Sequence, residues 1–372
     1  MRSFKNCKRV VIKIGSRIIA SRGIGLNKSR IERIAEEIAL LKERGIECVI
    51  VSSGAILAGM EKLGLKERPR SMPLKQAAAA AGQSQLMWLY EKTFKKHRIP
   101  VAQILLTGDD LADRKRFLNS RNTFFTLFDH HVIPIVNEND TVSFDEIKFG
   151  DNDHLSALVT NLIDAQLLII LTDVDGLFTA DPRIDPQAEL LSEVNEISNE
   201  IEKNSLGSGT REGTGGMRTK IQAAKKVAAY GVQTLLLNGT VPGILTQALG
   251  GKDIGTLFNL KGEKLNSRKH WIAFSIKSKG EILLDEGASA ALLDRGRILL
   301  PSGITAVHGS FMAGDAVTCL DVEGKEIAKG LVNYPANEID QIKGIKTKMI
   351  EEVLGYKFAD EVIHRNNLVI LD

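Results

Sequence analysis

Over the first 240 residues, short apolar runs of strand length alternate with segments of helical period. No other feature constrains the fold as much. Residues 10–14, 48–51, 101–106, 132–136, 167–171 and 234–237 read as strands. Residues 27–45 place Ile31, Ile34, Ala35, Ile38 and Leu41 at helical spacing, with Gly45 as a stop, and 76–90, 152–163 and 219–230 read as further helices. Continuously apolar strands separated by helices predict an α/β fold: a mostly parallel open sheet covered by helices on both faces. Near residue 260 the texture changes. Helical periodicity fades, and 281–284, 298–300, 316–320 and 326–331 lie between glycine-containing turns, predicting a small β-rich, barrel-like domain. The expected division is a first domain over 1–260, a linker over 261–277 with Trp271 packed on one of the domains, a second domain over 278–357 and a tail over 358–372.

A chain of 372 residues suits two such domains. Lys plus Arg number 49 against 46 Asp plus Glu, a balance that argues against a protein built mainly to grip a polyanion. No apolar run approaches the roughly 20 residues of a membrane span, and Lys13 interrupts the first one too early for a signal-peptide core. A soluble cytoplasmic protein is expected. Cys7, Cys48 and Cys319 include no C-x-x-C pair, so they read as reduced packing residues. His130 and His131 are adjacent, and His154 has no second His at i+4, so the histidines read as structural.

In an open α/β sheet, ligands bind outside the carboxyl ends of the strands. Six polar or glycine clusters fall there: 13–16, 52–55, 137–140, 150–153, 172–173 and 213–220. Neither G-x-x-x-x-G-K-[ST] nor G-x-G-x-x-G after a strand occurs, which sets aside P-loop and Rossmann chemistry. The run Gly-Thr-Gly-Gly-Met-Arg-Thr-Lys (213–220) instead opens a helix, where small residues let backbone N–H groups approach an anion. Lys13 lies in a strand otherwise made of Val and Ile. A cation there is costly unless it emerges at the strand end or has a partner. Asp153 is a candidate partner, with helix capping as the alternative, and Asp151 carries the same ambiguity.

Together these motifs resemble one family. Val-Ile-Lys-Ile-Gly-Ser, Val-Ser-Ser-Gly-Ala-Ile, Val-Asn-Glu-Asn-Asp, Gly-Asp-Asn-Asp-x-Leu-Ser-Ala, Leu-Thr-Asp-x-x-Gly-Leu-Phe-Thr-Ala-Asp-Pro-Arg and Gly-Thr-Gly-Gly-Met-x-Thr-Lys stand in the order found in glutamate 5-kinases of the amino-acid kinase superfamily. Asp285-Glu286-Gly287-Ala288 is similar to the start of the PUA domain that bacterial members carry. The resemblance implies an amino-acid kinase fold followed by a PUA domain. It implies that Lys13 and Lys220 contact the transferring phosphoryl group while Asp153 holds them. Ser53, Asp140 and Asn152 would bind glutamate with Asn137 close by. Lys13, Gly15, Thr172, Asp173, Thr214, Gly215, Gly216, Met217, Arg218, Thr219 and Lys220 would line the nucleotide. Ser16 stands where many members have Thr, and Arg17 where a small residue is common.

The implied reaction is ATP plus L-glutamate giving ADP and γ-glutamyl phosphate, the first step toward proline, with Mg2+ bridging the ATP phosphates. A γ-carboxylate, whose ordinary pKa is about 4.3, is already ionised at neutral pH, so no general base is required. The resemblance also implies a homo-oligomer and feedback inhibition by proline, neither tied to a residue. The rival reading is an RNA-binding protein working through its PUA-like tail. Residues 277–357 hold 10 basic and 12 acidic side chains, a net −2 poorly suited to a phosphate backbone. Aspartate or N-acetylglutamate as the phosphorylated acid is the alternative within the superfamily; the Asn-Glu-Asn-Asp and Gly-Asp-Asn-Asp pairings argue for glutamate.

Overall fold

The computed structural model describes residues 2–4, 7–21, 25–142, 152–182, 184–198, 201, 216–260, 272, 276–295 and 298–371. Asp151, Thr214, Gly215, Trp271 and most of the expected linker lie outside them. The chain divides into two compact units, Met1–Lys264 and Leu265–Asp372.

In the first unit the elements run β1 (Arg9–Ile14), α1 (Ser16–Ile19), α2 (Lys28–Glu43), β2 (Glu47–Ser52), α3 (Ala55–Lys62), α4 (Met72–Lys95), β3 (Val101–Leu106), α5 (Gly108–Ala112), α6 (Arg114–Asp129), β4 (Ile133–Glu138), α7 (Asn152–Leu162) and β5 (Leu167–Thr172). Short strands β6 (Leu177–Phe178), β7 (Leu190–Leu191) and β8 (Glu193–Val194) precede α8 (Met217–Ala228), β9 (Gln233–Asn238), α9 (Ile244–Leu249) and β10 (Thr256–Phe258). Eight strands form one sheet in the order β3-β4-β2-β1-β5-β9-β10-β8, parallel except where β10 runs against β9. From β1 the chain winds first to one side, through β2, and later to the other, through β5. The switch crevice therefore opens at the carboxyl end of β1.

Period-two alternation sorts β1 onto the two faces. Val10, Ile12 and Ile14 join a core with α2 and α4, whereas Val11 joins a second core with α6, α7 and α8. Each fully buried aliphatic side chain contributes about 1.5–3 kcal/mol. Lys13 shares the parity of Val11, so the same rule sends it toward α7 and α8. Asn27 caps α2 by accepting from the Arg30 N–H at 3.1 Å.

The second unit contains β11 (Gly280–Leu284), α10 (Glu286–Arg295), β12 (Ile304–Gly309), β13 (Ala316–Leu320), β14 (Glu326–Leu331), α11 (Ala336–Ile342), α12 (Ile350–Leu354) and β15 (Leu368–Ile370). Its sheet runs β12-β11-β13-β14-β15, with β11 and β13 parallel and the other pairs antiparallel. Three expectations are corrected here. Helices do continue past residue 260. Residues 298–300 contribute only an isolated bridge, Leu299 to Ile363, and β12 takes the expected strand's place. The segment set apart as a tail supplies β15, because burying Leu368 and Val369 against β14 removes apolar surface that a free tail would leave in water.

Candidate active site

Lys13, Asp153 and Lys220 meet on the face that alternation dictates. Lys13 Nζ lies 2.5 Å from Asp153 Oδ1, and Lys220 Nζ lies 3.1 Å from Oδ2. Thr219, one residue before Lys220 on α8, donates its hydroxyl to the same Oδ2 at 2.9 Å. The three charged side chains are only 5%, 0% and 8% exposed. Burial alone raises the pKa of Asp153, but the fields and hydrogen bonds of the two ammonium groups outweigh it and hold the carboxyl below the usual carboxylate range. One buried carboxylate thus organises two buried cations, and the cluster retains a net positive charge.

Beside this cluster, three loops meet at Asn152, the first residue of α7. Its amide nitrogen lies within 3.1 Å of the Ser52 carbonyl and 3.0 Å of both Ser53 Oγ and Asn137 Oδ1. Its own Oδ1 is buried without a hydrogen-bond partner among the described residues, an acceptor facing no donor. Ser53, Asn137, Asp140 and Asn152 line one cleft together with Ser16, Gly54, Ala55, Ile56, Leu57, Arg68 and Glu138. Burial pushes the Asp140 carboxyl up to about 6. Gly54, at φ +107°, makes the turn from β2 into α3, a conformation that glycine adopts without strain. The turn leaves the first residues of α3 on the cleft wall with no side-chain cap.

On the other side of β1, Asp173 follows β5. Its carboxylate accepts from Thr172 Oγ1 at 3.3 Å and pairs with Arg17 at 3.2 Å, which gives the unusual arginine a partner across the switch crevice. Gly15 presses against β5, its N–H donating to the Leu171 carbonyl at 3.3 Å. Gly216 precedes α8 without a side-chain cap, and Met217, Arg218 and Thr219 form the first turn. His154 accepts a 2.7 Å hydrogen bond from Lys226 at Nδ1, and burial and then the Lys226 charge lower its pKa to about 4, so the ring is neutral. Cys7, Cys48 and Cys319 are free thiols, pushed up to about 11, 12 and 12 by burial.

Two contributors carried no signal in the sequence. Arg68 comes from the loop between α3 and α4, where charged residues are ordinary. Tyr90, fully buried on α4, holds Ser52 Oγ at 2.9 Å, and Ser52 in turn donates to the Ser53 carbonyl at 3.0 Å. Among the described residues no helix is long and apolar enough to cross a membrane. Nor does any group of three His, Cys, Asp or Glu among them form a metal site, and both Asp153 oxygens already face cations.

A model of the amino acid kinase family matches residues 8–238, the span that contains the whole cleft. The chain belongs to the amino acid kinase family. A PUA domain model matches residues 280–354 of this family member. It is 54% identical to the glutamate 5-kinase of Geobacter sulfurreducens over 364 residues, covering 98% of both chains. Against the glutamate 5-kinase of Geobacter metallireducens it is also 54% identical, over 367 residues, covering 99% of this chain and 98% of the relative. It is similar as well to the crystal structure of UMP kinase from Bacillus anthracis, at 19% identity and a TM-score of 0.47, over 68% of this chain and 96% of that one.

Proposed function

We propose that this kinase transfers the γ-phosphoryl group of ATP to the side-chain carboxylate of L-glutamate, the activity carried in its relatives' names. The observation that carries the reading is the Lys13–Asp153–Lys220 cluster beside a cleft of amides and carboxylates. A carboxylate oxygen attacks the terminal phosphorus, the bond to the bridging oxygen breaks, and ADP leaves with that electron pair. No proton moves, so the neutral His154, engaged by Lys226, is not needed as a base. Phosphoryl transfer then depends on positioning and on positive charge where the equatorial oxygens develop negative charge, the task assigned to Lys13 and Lys220. Asp153 fixes both ammonium groups before substrate arrives.

The orphaned Asn152 Oδ1 and the Asp140 carboxylate suit an α-ammonium, and Ser53 suits a carboxylate. Thr172, Asp173, Gly15 and the turn from Gly216 to Lys220 would face the nucleotide; Thr214 and Gly215, implied by the same resemblance, lie outside the described residues. A divalent metal would travel on the ATP phosphates, neutralising their charge; the described residues do not build a site for it. The same reading brings a homo-oligomer, proline as feedback inhibitor and a cytoplasmic setting, and the net-acidic PUA-like unit disfavours RNA as a ligand.

An acyl phosphate is trapped by hydroxylamine, so γ-glutamyl hydroxamate should accumulate when ATP, magnesium and glutamate are supplied. N-acetylglutamate lacks the ammonium, and aspartate, one methylene shorter, misplaces its carboxylate for in-line attack; both should react slowly. Faster hydroxamate formation from either acid than from glutamate sinks the substrate assignment.

A further inference from the structure

A dicarboxylic amino acid brings two negative groups and one positive group into the cleft. On the functional reading above, the side-chain carboxylate must lie toward the Lys13–Asp153–Lys220 cluster, and Asp140 with Asn152 Oδ1 faces the ammonium. The α-carboxylate is left without a positive counterpart, and the cleft wall already carries Glu138 and Asp140. Among the described residues lining the cleft, Arg68 is the one cation. Ala55, Ile56 and Leu57, the first turn of the eight-residue α3, line the same cleft with no side chain capping their N–H groups. That end of the helix favours a negative group as well.

We propose that Arg68 is a specificity-determining residue that binds the substrate α-carboxylate against the amino end of α3. The inference rests on the functional reading and deepens it. Arg68 sorts free amino acids bearing an α-carboxylate from α-amidated or peptide-linked ones, while the lysine cluster handles the carboxylate that reacts. A guanidinium suits this task because its planar fork can grip both carboxylate oxygens, which an ammonium cannot do. The loop between α3 and α4 joins the two helices that carry Ala55 and Tyr90, so its anchor is set by the elements that also shape the Ser52–Ser53 turn.

The test compares L-glutamate with L-glutamic acid α-amide, in which a neutral carboxamide replaces the α-carboxylate. In Arg68→Ala, kcat/KM for glutamate should fall about 30-fold, within roughly 10- to 150-fold, as expected for losing a charged hydrogen bond. The loss should appear in KM for glutamate, with KM for ATP unchanged. The same substitution should leave the rate with the α-amide within about threefold, since that substrate never had the contact. Arg68→Lys should recover only part of the glutamate rate, and Arg68→Gln, which keeps much of the length of the side chain, should behave like alanine. Equal losses on both substrates, or a parallel rise in KM for ATP, overturn the proposal. A wild-type enzyme that makes no hydroxamate from glutamate overturns the functional reading itself, whereas an active wild type with an indifferent Arg68→Ala overturns only the role of Arg68.

Discussion

Asp153 faces two ammonium groups and is fully buried, so removing either lysine leaves a neutral pair and takes away the net positive charge of the cluster. On the proposed mechanism each lysine would act on charge that develops in the transition state, so Lys13→Ala and Lys220→Ala should each lower kcat by at least about 10³-fold, roughly 4 kcal/mol of barrier. Circular dichroism should show the fold retained, and near-normal turnover in either variant would remove that lysine from the mechanism. Asp140 adds a pH dependence. Its pKa in the free protein is raised to about 6, so below that pH it becomes neutral and no longer attracts an ammonium group. KM for glutamate should therefore rise as pH falls through about 6, by up to tenfold per pH unit, with KM for ATP less affected. A KM for glutamate that stays flat between pH 7 and 5 would contradict this. Lys13 could be read from sequence because a charge inside Val-Val-Ile-Lys-Ile demands an explanation, and its partner came from a motif. Arg68 and Tyr90 could not. An arginine in a charged loop and a tyrosine in an apolar helix look ordinary until the chain brings them to the Ser53 turn.

Helix α3, which lines the cleft, and helix α4 touch backbone to backbone. A Cβ on Gly59 of α3 would meet the Ala78 carbonyl oxygen at 1.7 Å, and one on Gly82 of α4 would meet the Ala55 carbonyl oxygen at 1.8 Å. Neither neighbour is a flexible side-chain tip that could swing away. Gly82→Ala should thus destabilise the protein by at least about 2 kcal/mol. It should also raise KM for glutamate, since the displaced residue, Ala55, begins α3 and lines the cleft. Thermal unfolding with steady-state kinetics would check this, and a variant of unchanged Tm and KM would mean the two helices can separate freely. At this scale the parallel sheet was legible, because its central strands are apolar on both faces and its helices are long. Helices α10, α11 and α12 were not. They have 10, 7 and 5 residues, too few for a periodic stripe to stand out. Strand β15 is three residues long and becomes a strand only through pairing with β14.

Every described residue assigned to the candidate site belongs to the first of the two compact units. A chain ending near Lys261 should keep kinase activity, with altered stability or regulation. Complete loss of turnover in a soluble, folded truncation would mean that the PUA-like unit shapes the site. The topology of the larger unit has a further consequence for how the chain is made. Strand β1 sits in the middle of the sheet and Lys13 is in register with Val51 on one side and Ile170 on the other. A ribosome adding about 5–20 residues per second synthesises β5 some 8–30 s after β1. During that interval one edge of an apolar strand has no native neighbour, and nascent chains crowded on one message could pair there instead. The charge that the proposed mechanism places at residue 13 also interrupts this run, and a lysine is the kind of side chain that discourages strands from stacking on one another. Before there is any ATP to bind, a charge at Lys13 would therefore disfavour such pairing in the newborn chain.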